Sequence, residues 1–364
     1  MSSKQRVAIT GATGLVGGEI LRRHLLETDF DIVCFVRAED QGHADQRIHD
    51  VLKGMDLDSE YLQRITAVVS DITYKNFNVP EEELKAHFEN VIRLFHCAAH
   101  TYFTQVNVCY HTNVWSIRHL IRLMKEHAPE TNLIYFGSVT SSGMVEDDVI
   151  YETELPDRTR PHLFPYTKTK MQAEYILTKS SIADRTLILR PSLCFPDIGE
   201  RPDLAYDAVW AFNIACDSAM IPIDLETRLE IIPISLVGAA SMALAEKLST
   251  GNYHISAGEG HASKWSEYID CCRKHMGDDT IMRSCTEDEW RTYLREAPKT
   301  FRRRLMAVSG YFPLINQGKV YSTQKIERVW DEYYDHFIPV PEFLPKLMEL
   351  AKKVSGRGVT PDAM

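Results

Sequence analysis

A tyrosine and a lysine four residues apart, Tyr166 and Lys170, could carry out acid–base chemistry at a substrate oxygen. Residues at this spacing share one face of a helix, so the phenol and the ammonium would lie side by side. A phenol can protonate an oxygen on which negative charge builds up, but its ordinary pKa of about 10 is high. The ammonium would stabilise the phenolate and draw the pKa toward working pH. Ser138, at the end of an apolar run, could donate a hydrogen bond to the same oxygen.

Residues 10–17, with the sequence TGATGLVG, indicate which reaction these groups would serve. They follow Val7, Ala8 and Ile9, which suit a buried strand, and they precede apolar residues at helical spacing. A glycine turn between a strand and a helix lets the backbone approach a pyrophosphate, which then lies at the helix N-terminus. An ordinary turn with spare glycines is the alternative, and this context disfavours it. The predicted cofactor contacts in the turn are Thr10, Gly11, Thr13, Gly14, Leu15, Val16 and Gly17.

The glycine turn and the three polar groups together predict hydride transfer between a nicotinamide cofactor and a carbonyl group. We expect Tyr166 and Lys170 to contact the cofactor as well, because the lysine could also hold the nicotinamide ribose. The end of the second strand, at 31–36, indicates which cofactor. An acid there would bind the ribose 2′-hydroxyl, whereas an arginine would neutralise a 2′-phosphate. The residue is Arg37, so we expect NADPH rather than NADH. A solvated arginine at a strand end is the other interpretation.

The next two strands end in residues that could also contact the cofactor. Asp71 and Ile72 follow a strand at 65–69. The Asp71 carboxylate could accept a hydrogen bond from the adenine amino group, or it could cap the next turn. Ala98 and Ala99 follow the fourth strand, and their small side chains would let the cofactor pass close by.

Histidine, cysteine and charge patterns restrict the class of protein further. His96 and His100 flank a strand end without a carboxylate to complete a ligand set, so we predict no metal site. None of the eight cysteines forms a CxxC pair that would indicate zinc or redox chemistry. The net charge of −10 gives no support to nucleic-acid binding. We see no signal-like start and no apolar stretch that could span a bilayer, and we expect a cytoplasmic protein.

Alternating strand and helix patterns predict an α/β fold, with a doubly wound parallel Rossmann sheet and a smaller, mostly helical C-terminal lobe. We assign residues 1–195 to a dinucleotide-binding domain whose sheet is completed by parts of 229–256. Residues 196–364 would mainly form the substrate-binding lobe and a helical tail. The patterns also predict a helix that starts at Asn113, a loop over 144–165, a helix over 208–214 and a strand over 229–234.

Over residues 6–256 the chain resembles the extended short-chain dehydrogenase/reductase superfamily. The residues that carry this resemblance are TGATGLVG at 10–17, Asp71 with Ile72, the Asn113 helix, Ser138, Tyr166 with Lys170, and Arg190-Pro191-Ser192. The resemblance implies a sheet of about seven strands and a C-terminal substrate-binding lobe. It implies that Ser138, Tyr166 and Lys170 are catalytic. It further implies that Asn113 is a proton-relay partner, that Pro191 lies at the cofactor, and that helices 113–124 and 166–178 pair in a homodimer.

Within that superfamily, CFVRA at 34–38 is similar to the male-sterility type, which includes thioester reductases and fatty acyl-CoA reductases. Segments 310–314 and 320–323 are loosely similar to the same branch. This similarity implies reduction of an acyl thioester, carried on CoA or on a carrier protein, to an aldehyde or alcohol with NADPH. The chain departs from the branch at Ser138, where a Ser-Thr pairing is usual and Thr140 is the alternative residue. It departs again at Ser235, where Asp is common.

Two other functions are compatible with the same scaffold. A sugar-nucleotide epimerase or dehydratase would retain NAD and need cations for a diphosphate, for which Arg201 and Arg228 are available. Arg37 argues against it, because such enzymes tend to use NAD. A non-catalytic dinucleotide-sensing regulator is disfavoured because the chain keeps both Tyr166 and Lys170.

Overall fold

The computed structural model describes residues 4–101, 105–197, 218–277, 279–280, 282–310 and 312–355. The helix predicted over 208–214 and the residue Arg201 lie outside these ranges. Within them, a seven-stranded parallel sheet is flanked by helices, which confirms the predicted fold class.

Strands and helices alternate through the first half of the chain. The strands are β1 (Arg6–Thr10), β2 (Asp31–Val36), β3 (Ile65–Val69), β4 (Val91–His96), β5 (Asn132–Phe136), β6 (Val149–Ile150), β7 (Thr186–Pro191) and β8 (Leu193–Phe195). The helices are α1 (Leu15–Glu27), α2 (Gln41–Gly54), α3 (Glu81–Phe88), α4 (Val106–Tyr110), α5 (Ser116–His127) and α6 (Pro165–Thr178).

In the second half the strands are shorter and helices predominate. The strands are β9 (Met220–Ile221), β10 (Arg228–Leu229), β11 (Ile231–Pro233), β12 (Gly251–Ile255), β13 (Ser263–Lys264), β14 (Arg283–Ser284) and β15 (Val320–Tyr321). The helices are α7 (Ile234–Lys247), α8 (Trp265–Met276), α9 (Glu287–Glu296), α10 (Lys299–Ser309), α11 (Phe312–Ile315), α12 (Gln324–Glu327) and α13 (Val340–Ser355).

The central sheet has the strand order β12-β7-β5-β4-β1-β2-β3. β1 pairs in parallel with β2 and with β4, so that Thr10 lies opposite Phe35 on one side and His96 on the other. The direction in which successive strands are added therefore reverses between β1 and β4. Open α/β sheets bind ligands beyond the carboxyl ends of their strands at such a reversal, which places the expected site next to the glycine turn.

Alternation along β1 divides the main core between the two faces of the sheet. Val7 and Ile9 pack on one face and Ala8 on the other, and all three are fully buried. The C-terminal lobe has a separate core around Trp265 and Tyr268. β6 joins the first part of the chain to the last by pairing in parallel with β15, so the predicted loop over 144–165 contains a short strand.

The sequence pattern predicts that a helix begins at Asn113, and this prediction is wrong. The helical segment begins at Val106, and a π-helical turn, His111–Trp115, joins α4 to α5 without a break. The polar run at 111–113 is typical of a helix cap. Here, however, Asn113 is buried, and its side chain hydrogen-bonds to the backbone of His100 instead of capping α5.

The predicted strand over 229–234 is also divided in two. β10 pairs with β13, and β11 pairs with β8 instead of joining the central sheet. Glu230 separates β10 from β11, and its carboxylate accepts hydrogen bonds from the backbone nitrogens of Ala257 (2.8 Å) and Tyr321 (3.2 Å). Burial raises the pKa of Glu230 to about 7.

Charged groups hold α1 against α7. Glu19 is buried and accepts hydrogen bonds from Arg22 (2.8 Å) and Arg23 (2.7 Å), and Arg23 also donates to the Ser235 carbonyl oxygen at 2.9 Å. The Ser235 hydroxyl and backbone nitrogen donate to the Asp197 carboxylate at 2.5 and 3.0 Å. A carboxylate is therefore present at this contact, although position 235 itself is a serine.

We predict that Gly238→Ala destabilises the protein by about 1–2 kcal/mol. A Cβ at this position of α7 would lie 2.5 Å from Arg23 Nε and 2.6 Å from Glu19 Oε1, which are held by their ion pairs. Overpacking typically costs about 1–3 kcal/mol, and contacts this short favour the upper part of that range. The gain of about 1 kcal/mol in helix propensity offsets part of the cost. Urea unfolding measures the difference. Gly260→Ala is the control, because nothing lies within 4 Å of its Cβ. A more stable Gly238→Ala protein would contradict the prediction.

Candidate active site

Residues 10–17 form a turn that leaves the N-terminus of α1 open. Gly11 has a φ of +72°, and a Cβ there would lie 2.7 Å from the Ala98 backbone nitrogen. A Cβ on Gly17 would overlap the Gly11 carbonyl oxygen. Gly14 precedes α1 without a side-chain cap, and the first helical turn contains no acid. Backbone N–H groups are thus free to bind an anion, as the sequence predicts for a pyrophosphate.

Thr10 fastens the end of β4 to this turn. Its hydroxyl lies 3.0 Å from His96 Nδ1 and accepts a hydrogen bond from the Ala98 nitrogen at 3.3 Å. Burial, assisted by the charge of Lys170, lowers the pKa of His96 to about 3, so the imidazole is neutral and packs inside the sheet. In the described part of the chain, no three His, Cys, Asp or Glu side chains gather in a way that could hold a metal ion.

Two guanidinium groups lie at the end of β2. Arg37 is exposed, and Arg47 of α2 donates both to the Arg37 carbonyl oxygen and to Thr13 Oγ1, the latter at 2.9 Å. Burial, and then the charge of Arg37, lower the pKa of Arg47. An anion bound here would relieve that repulsion. Sequence reasoning misses Arg47, because the contact with Thr13 joins residues 34 positions apart and no local pattern marks it.

The Asp71 carboxylate is engaged locally. Its Oδ1 accepts hydrogen bonds from the Thr73 nitrogen at 2.9 Å and the Thr73 hydroxyl at 2.7 Å. This is the capping alternative, and a contact between Asp71 and adenine stays a prediction. Ile72 packs into the same core as Phe35 and Val68, and its contact with the cofactor stays a prediction.

The other predicted cofactor residues lie at the same edge of the sheet. Leu15 and Val16 are half-buried in the first turn of α1. Ala98 and Ala99 are half-buried just beyond β4, and Pro191 is buried at the end of β7. Their contacts with a cofactor stay predictions.

Tyr166 lies in the first turn of α6, where its phenol is hydrogen-bonded to the Ser138 side chain. Desolvation raises the pKa of Tyr166 well above its ordinary value, and the bond to Ser138 offsets only part of this rise. A lowering of this pKa by Lys170 stays a prediction. A phenol in this environment keeps its proton at working pH and is a potential acid.

Lys170 lies one turn further along α6 and is buried. Its Nζ donates to the Phe136 carbonyl oxygen at 2.6 Å and lies 6.0 Å from the centroid of the Tyr166 ring. Burial lowers the pKa of Lys170 to about 8, against the opposing effect of Glu174. The ammonium is thus mostly protonated at neutral pH, and in this structure it donates to the end of β5.

Ser138 and Thr140, the two alternative donors, lie within hydrogen-bond distance of each other, and which of them contacts a substrate stays a prediction. Ser138 caps a 3₁₀ turn, Val139–Ser142, immediately after β5. Its Oγ lies 2.8 Å from Thr140 Oγ1 and accepts from the Thr140 nitrogen at 3.2 Å. The Ser138 hydroxyl is therefore fixed between Thr140 and Tyr166.

Asn113 connects the exit of β4 to α6. Its Oδ1 accepts from the His100 nitrogen at 2.8 Å, while its Nδ2 donates to the His100 carbonyl oxygen at 2.9 Å and to Thr169 Oγ1 at 3.0 Å. Thr169 in turn donates to the Tyr166 carbonyl oxygen. Asn113 therefore positions the helix that bears Tyr166, and its role as a proton relay stays a prediction.

A buried ion pair joins the segments that form the candidate active site. Glu174 is fully buried and accepts hydrogen bonds from Arg190 Nε (2.8 Å), the Ser141 hydroxyl (3.1 Å) and the Ser138 nitrogen (3.4 Å). A Cβ on Gly137 would overlap Glu174 Oε1, so a glycine is required there. Sequence reasoning misses Glu174, although its place four residues after Lys170 is a usable signal.

The geometry accommodates a dinucleotide. The turn has an open helix N-terminus and two close approaches that only glycine permits, and cations lie at the end of β2. A hydroxyl, a phenol and an ammonium lie at the ends of β5 and α6. Among the described helices, none has both the length and the apolar character that crossing a membrane requires.

Comparison with known proteins agrees with this geometry. Residues 9–235 match the model of the male sterility protein family. A linear gramicidin synthase from Brevibacillus parabrevis is 24% identical over 308 residues, which are 82% of this chain and 6% of that protein. The fatty acyl-CoA reductase 1 of Pongo abelii is 24% identical over 226 residues, which are 52% of this chain and 43% of that protein. This chain therefore spans less than half the length of both relatives.

Solved structures share the fold. The terminal R domain of the myxalamid PKS-NRPS biosynthetic pathway superposes with a TM-score of 0.80 at 19% identity. The match covers 99% of this chain and 93% of that domain, so the fold similarity includes the C-terminal lobe as well as the central sheet.

We predict that Glu174→Gln lowers the free energy of unfolding by about 3–5 kcal/mol. The substitution keeps the size of the side chain but leaves the buried Arg190 guanidinium without its counter-charge, and removing one partner of a buried pair has costs of this order. Urea unfolding at neutral pH measures the change. Glu126→Gln, in the exposed pair with Arg122, is the control and should cost less than about 1 kcal/mol. Equal effects of the two substitutions would contradict the assigned role of Glu174.

Proposed function

The chain belongs to the male sterility protein family, within the extended short-chain dehydrogenases/reductases, and on this basis we propose that it is an NADPH-dependent reductase of acyl thioesters or related carbonyls. It is an oxidoreductase that uses NAD(P). One observation carries the finer proposal. The Tyr166 phenol keeps its proton and is hydrogen-bonded to Ser138. It lies at the same edge of the sheet as the glycine turn, which leaves the N-terminus of α1 open.

In the proposed mechanism, Ser138 donates a hydrogen bond to the substrate carbonyl oxygen and orients it. Bound NADPH would supply a hydride to the carbonyl carbon. Tyr166 gives its proton to the oxygen as negative charge develops there, and the buried Lys170 ammonium stabilises the resulting phenolate. With a thioester, the hemithioacetal formed in this way releases the thiol and leaves an aldehyde. A second round of reduction would give an alcohol.

The preference for NADPH is supported by charge at the end of β2. Arg37 and Arg47 together present two cations beside Thr13, where the adenosine ribose is expected. The charge of Arg37 makes that of Arg47 less favourable, and a 2′-phosphate dianion would compensate this repulsion. The 2′-hydroxyl of NADH offers no comparable compensation.

The thioester substrate is supported by the relatives, whose names denote a peptide synthase and an acyl-CoA reductase. The thiol component would be CoA or the arm of a carrier protein. We assign substrate binding mainly to residues 196–364. For the proposed homodimer, the candidate contact is the pair of helices 113–124 and 166–178, and Trp115 in the first of them is exposed.

We predict that the purified protein binds NADPH and oxidises it in the presence of acyl-CoA thioesters or aldehydes. We expect Tyr166→Phe to lower turnover by about 100-fold or more, because a general acid typically contributes about 10²–10⁴-fold. NADPH affinity should stay unchanged, since the substitution removes only the phenol hydroxyl and leaves the glycine turn and Arg37 in place. Absorbance at the NADPH band gives turnover, and fluorescence titration gives affinity.

Sugar nucleotides complete the substrate panel for this experiment. Tightly retained NAD with no net oxidation would contradict the reductase proposal and favour an epimerase or dehydratase. Turnover of Tyr166→Phe equal to that of the unmodified protein would contradict the role of Tyr166 with any substrate.

We predict that Arg37→Ala and Arg47→Ala each weaken NADPH binding by about tenfold or more and leave NADH binding nearly unchanged. A hydrogen bond to a charged group contributes about 1.5–3 kcal/mol, and only NADPH has the 2′-phosphate to lose. Fluorescence titration with both cofactors measures the effect. Lys53→Ala, an exposed cation near the other end of α2, is the control. Equal losses for NADPH and NADH would remove the 2′-phosphate role.

A further inference from the structure

The turn at 138–142, which we call the donor turn, carries both hydroxyls that could bond the substrate oxygen. Glu174 holds the first part of this turn, because its carboxylate accepts from the Ser138 nitrogen at 3.4 Å and from the Ser141 hydroxyl at 3.1 Å. Ser142, at the other end of the turn, is outside this set of bonds. Its carbonyl oxygen accepts a long bond from Arg160, at 3.4 Å. The geometry of the donor turn therefore depends on a further contact at its C-terminal end.

Tyr321 of β15 makes that contact. Its phenol is hydrogen-bonded to the Ser142 side chain, and its ring packs in a small core with Val139 and Ile150. Val139 belongs to the donor turn, whereas Ile150 belongs to β6, the strand that pairs with β15. Burial raises the pKa of Tyr321, so the phenol keeps its proton and remains a hydrogen-bonding partner of Ser142.

Tyr321 is itself fixed from three directions. Its backbone nitrogen donates to the Glu230 carboxylate at 3.2 Å, and its carbonyl oxygen accepts from the Ser256 hydroxyl at 2.8 Å. Its ring meets the His254 imidazole edge-on, with the ring centroids 5.6 Å apart. The phenol therefore has a defined position relative to the central sheet, and it can transmit that position to the donor turn.

Small displacements of the donor turn would affect the reaction. The oxygens Ser138 Oγ and Thr140 Oγ1 lie 2.8 Å apart, so the direction in which either hydroxyl points depends on the backbone between them. Hydrogen-bond donors contribute to catalysis only while they are aimed at the oxygen on which charge develops. A misplacement well below the size of an atom can therefore lower the rate without changing how tightly the cofactor binds.

We propose that Tyr321 is a positioning residue for the reaction, because through Ser142 and Val139 it fixes the donor turn and aims its hydroxyls at the substrate carbonyl. This inference rests on the proposed function. β15 lies within residues 196–364, to which we assign substrate binding. The same part of the chain would then bind the substrate and set the direction of the hydrogen bond that the substrate oxygen receives.

Two substitutions remove the two ends of the proposed contact. Tyr321→Phe keeps the ring that packs on Val139 and removes only the hydroxyl, and Ser142→Ala removes the partner of that hydroxyl. Tyr293→Phe is the matched control. The Tyr293 hydroxyl accepts from the Ala219 nitrogen at 3.3 Å and its ring packs against Trp290, in the separate core of the C-terminal lobe.

We expect Tyr321→Phe and Ser142→Ala each to lower kcat for acyl-CoA thioesters about fivefold, the size of effect that loss of one hydrogen bond produces. The double variant should lose no more than either single variant, since both remove the same contact. NADPH affinity, measured by fluorescence titration, should stay unchanged. Tyr293→Phe should leave kcat unchanged.

A background that lacks both donor hydroxyls separates positioning from general stabilisation. In the variant with Ser138→Ala and Thr140→Val, no hydroxyl is left for Tyr321 to aim, so adding Tyr321→Phe should change kcat by less than about twofold.

Two results would overturn this inference while the reductase proposal stood. One is an unchanged kcat for both Tyr321→Phe and Ser142→Ala. The other is a loss on adding Tyr321→Phe to the background without hydroxyls that is as large as in the unmodified protein. Failure of the unmodified protein to oxidise bound NADPH with any thioester or aldehyde would overturn the reductase proposal and this inference with it.

Discussion

The candidate active site depends on one buried carboxylate. Glu174 binds Arg190 at the end of β7, Ser141 in the turn after β5, and the backbone of Ser138, and it extends from the same helix as Tyr166 and Lys170. Three segments distant in the chain are therefore fixed relative to one another by a single group. Because a buried charge is strongly destabilising without its partners, separating these segments would cost a large free energy. The hydroxyl, the phenol and the ammonium are held in place by this constraint.

Much of the sheet could be predicted from the sequence. Strands such as β2 and β3 are continuous apolar runs between polar turns, so their limits follow from residue type alone. The glycine turn and the pair Tyr166 and Lys170 are equally local, because one is a contiguous motif and the other a single helical step. The structure places them at one edge of the sheet, as parallel strand topology requires.

Features that arise from tertiary contacts could not be predicted in this way. Arg47 of α2 donates to Thr13 in the glycine turn, and the Asn113 side chain bonds the backbone of His100 after β4. The π turn at His111–Trp115 preserves a continuous helix where the polar residues suggest a start. Desolvation by the surrounding fold raises the pKa of Tyr166, and the Lys170 ammonium donates to the Phe136 carbonyl oxygen. Neighbours along the chain are a poor guide to such effects.

The bond between Ser235 and Asp197 has a consequence for how this family varies. The chain keeps a carboxylate at the contact beside α1, but the acid comes from position 197 and the hydroxyl from position 235. Two acids facing each other there would repel, and two hydroxyls would leave the site without charge. The two positions are therefore expected to change together during evolution. Homologues with an acid at the position of Ser235 should carry a neutral residue at that of Asp197. An alignment of position 235 alone would suggest that this chain has lost the carboxylate, whereas the carboxylate is supplied from position 197.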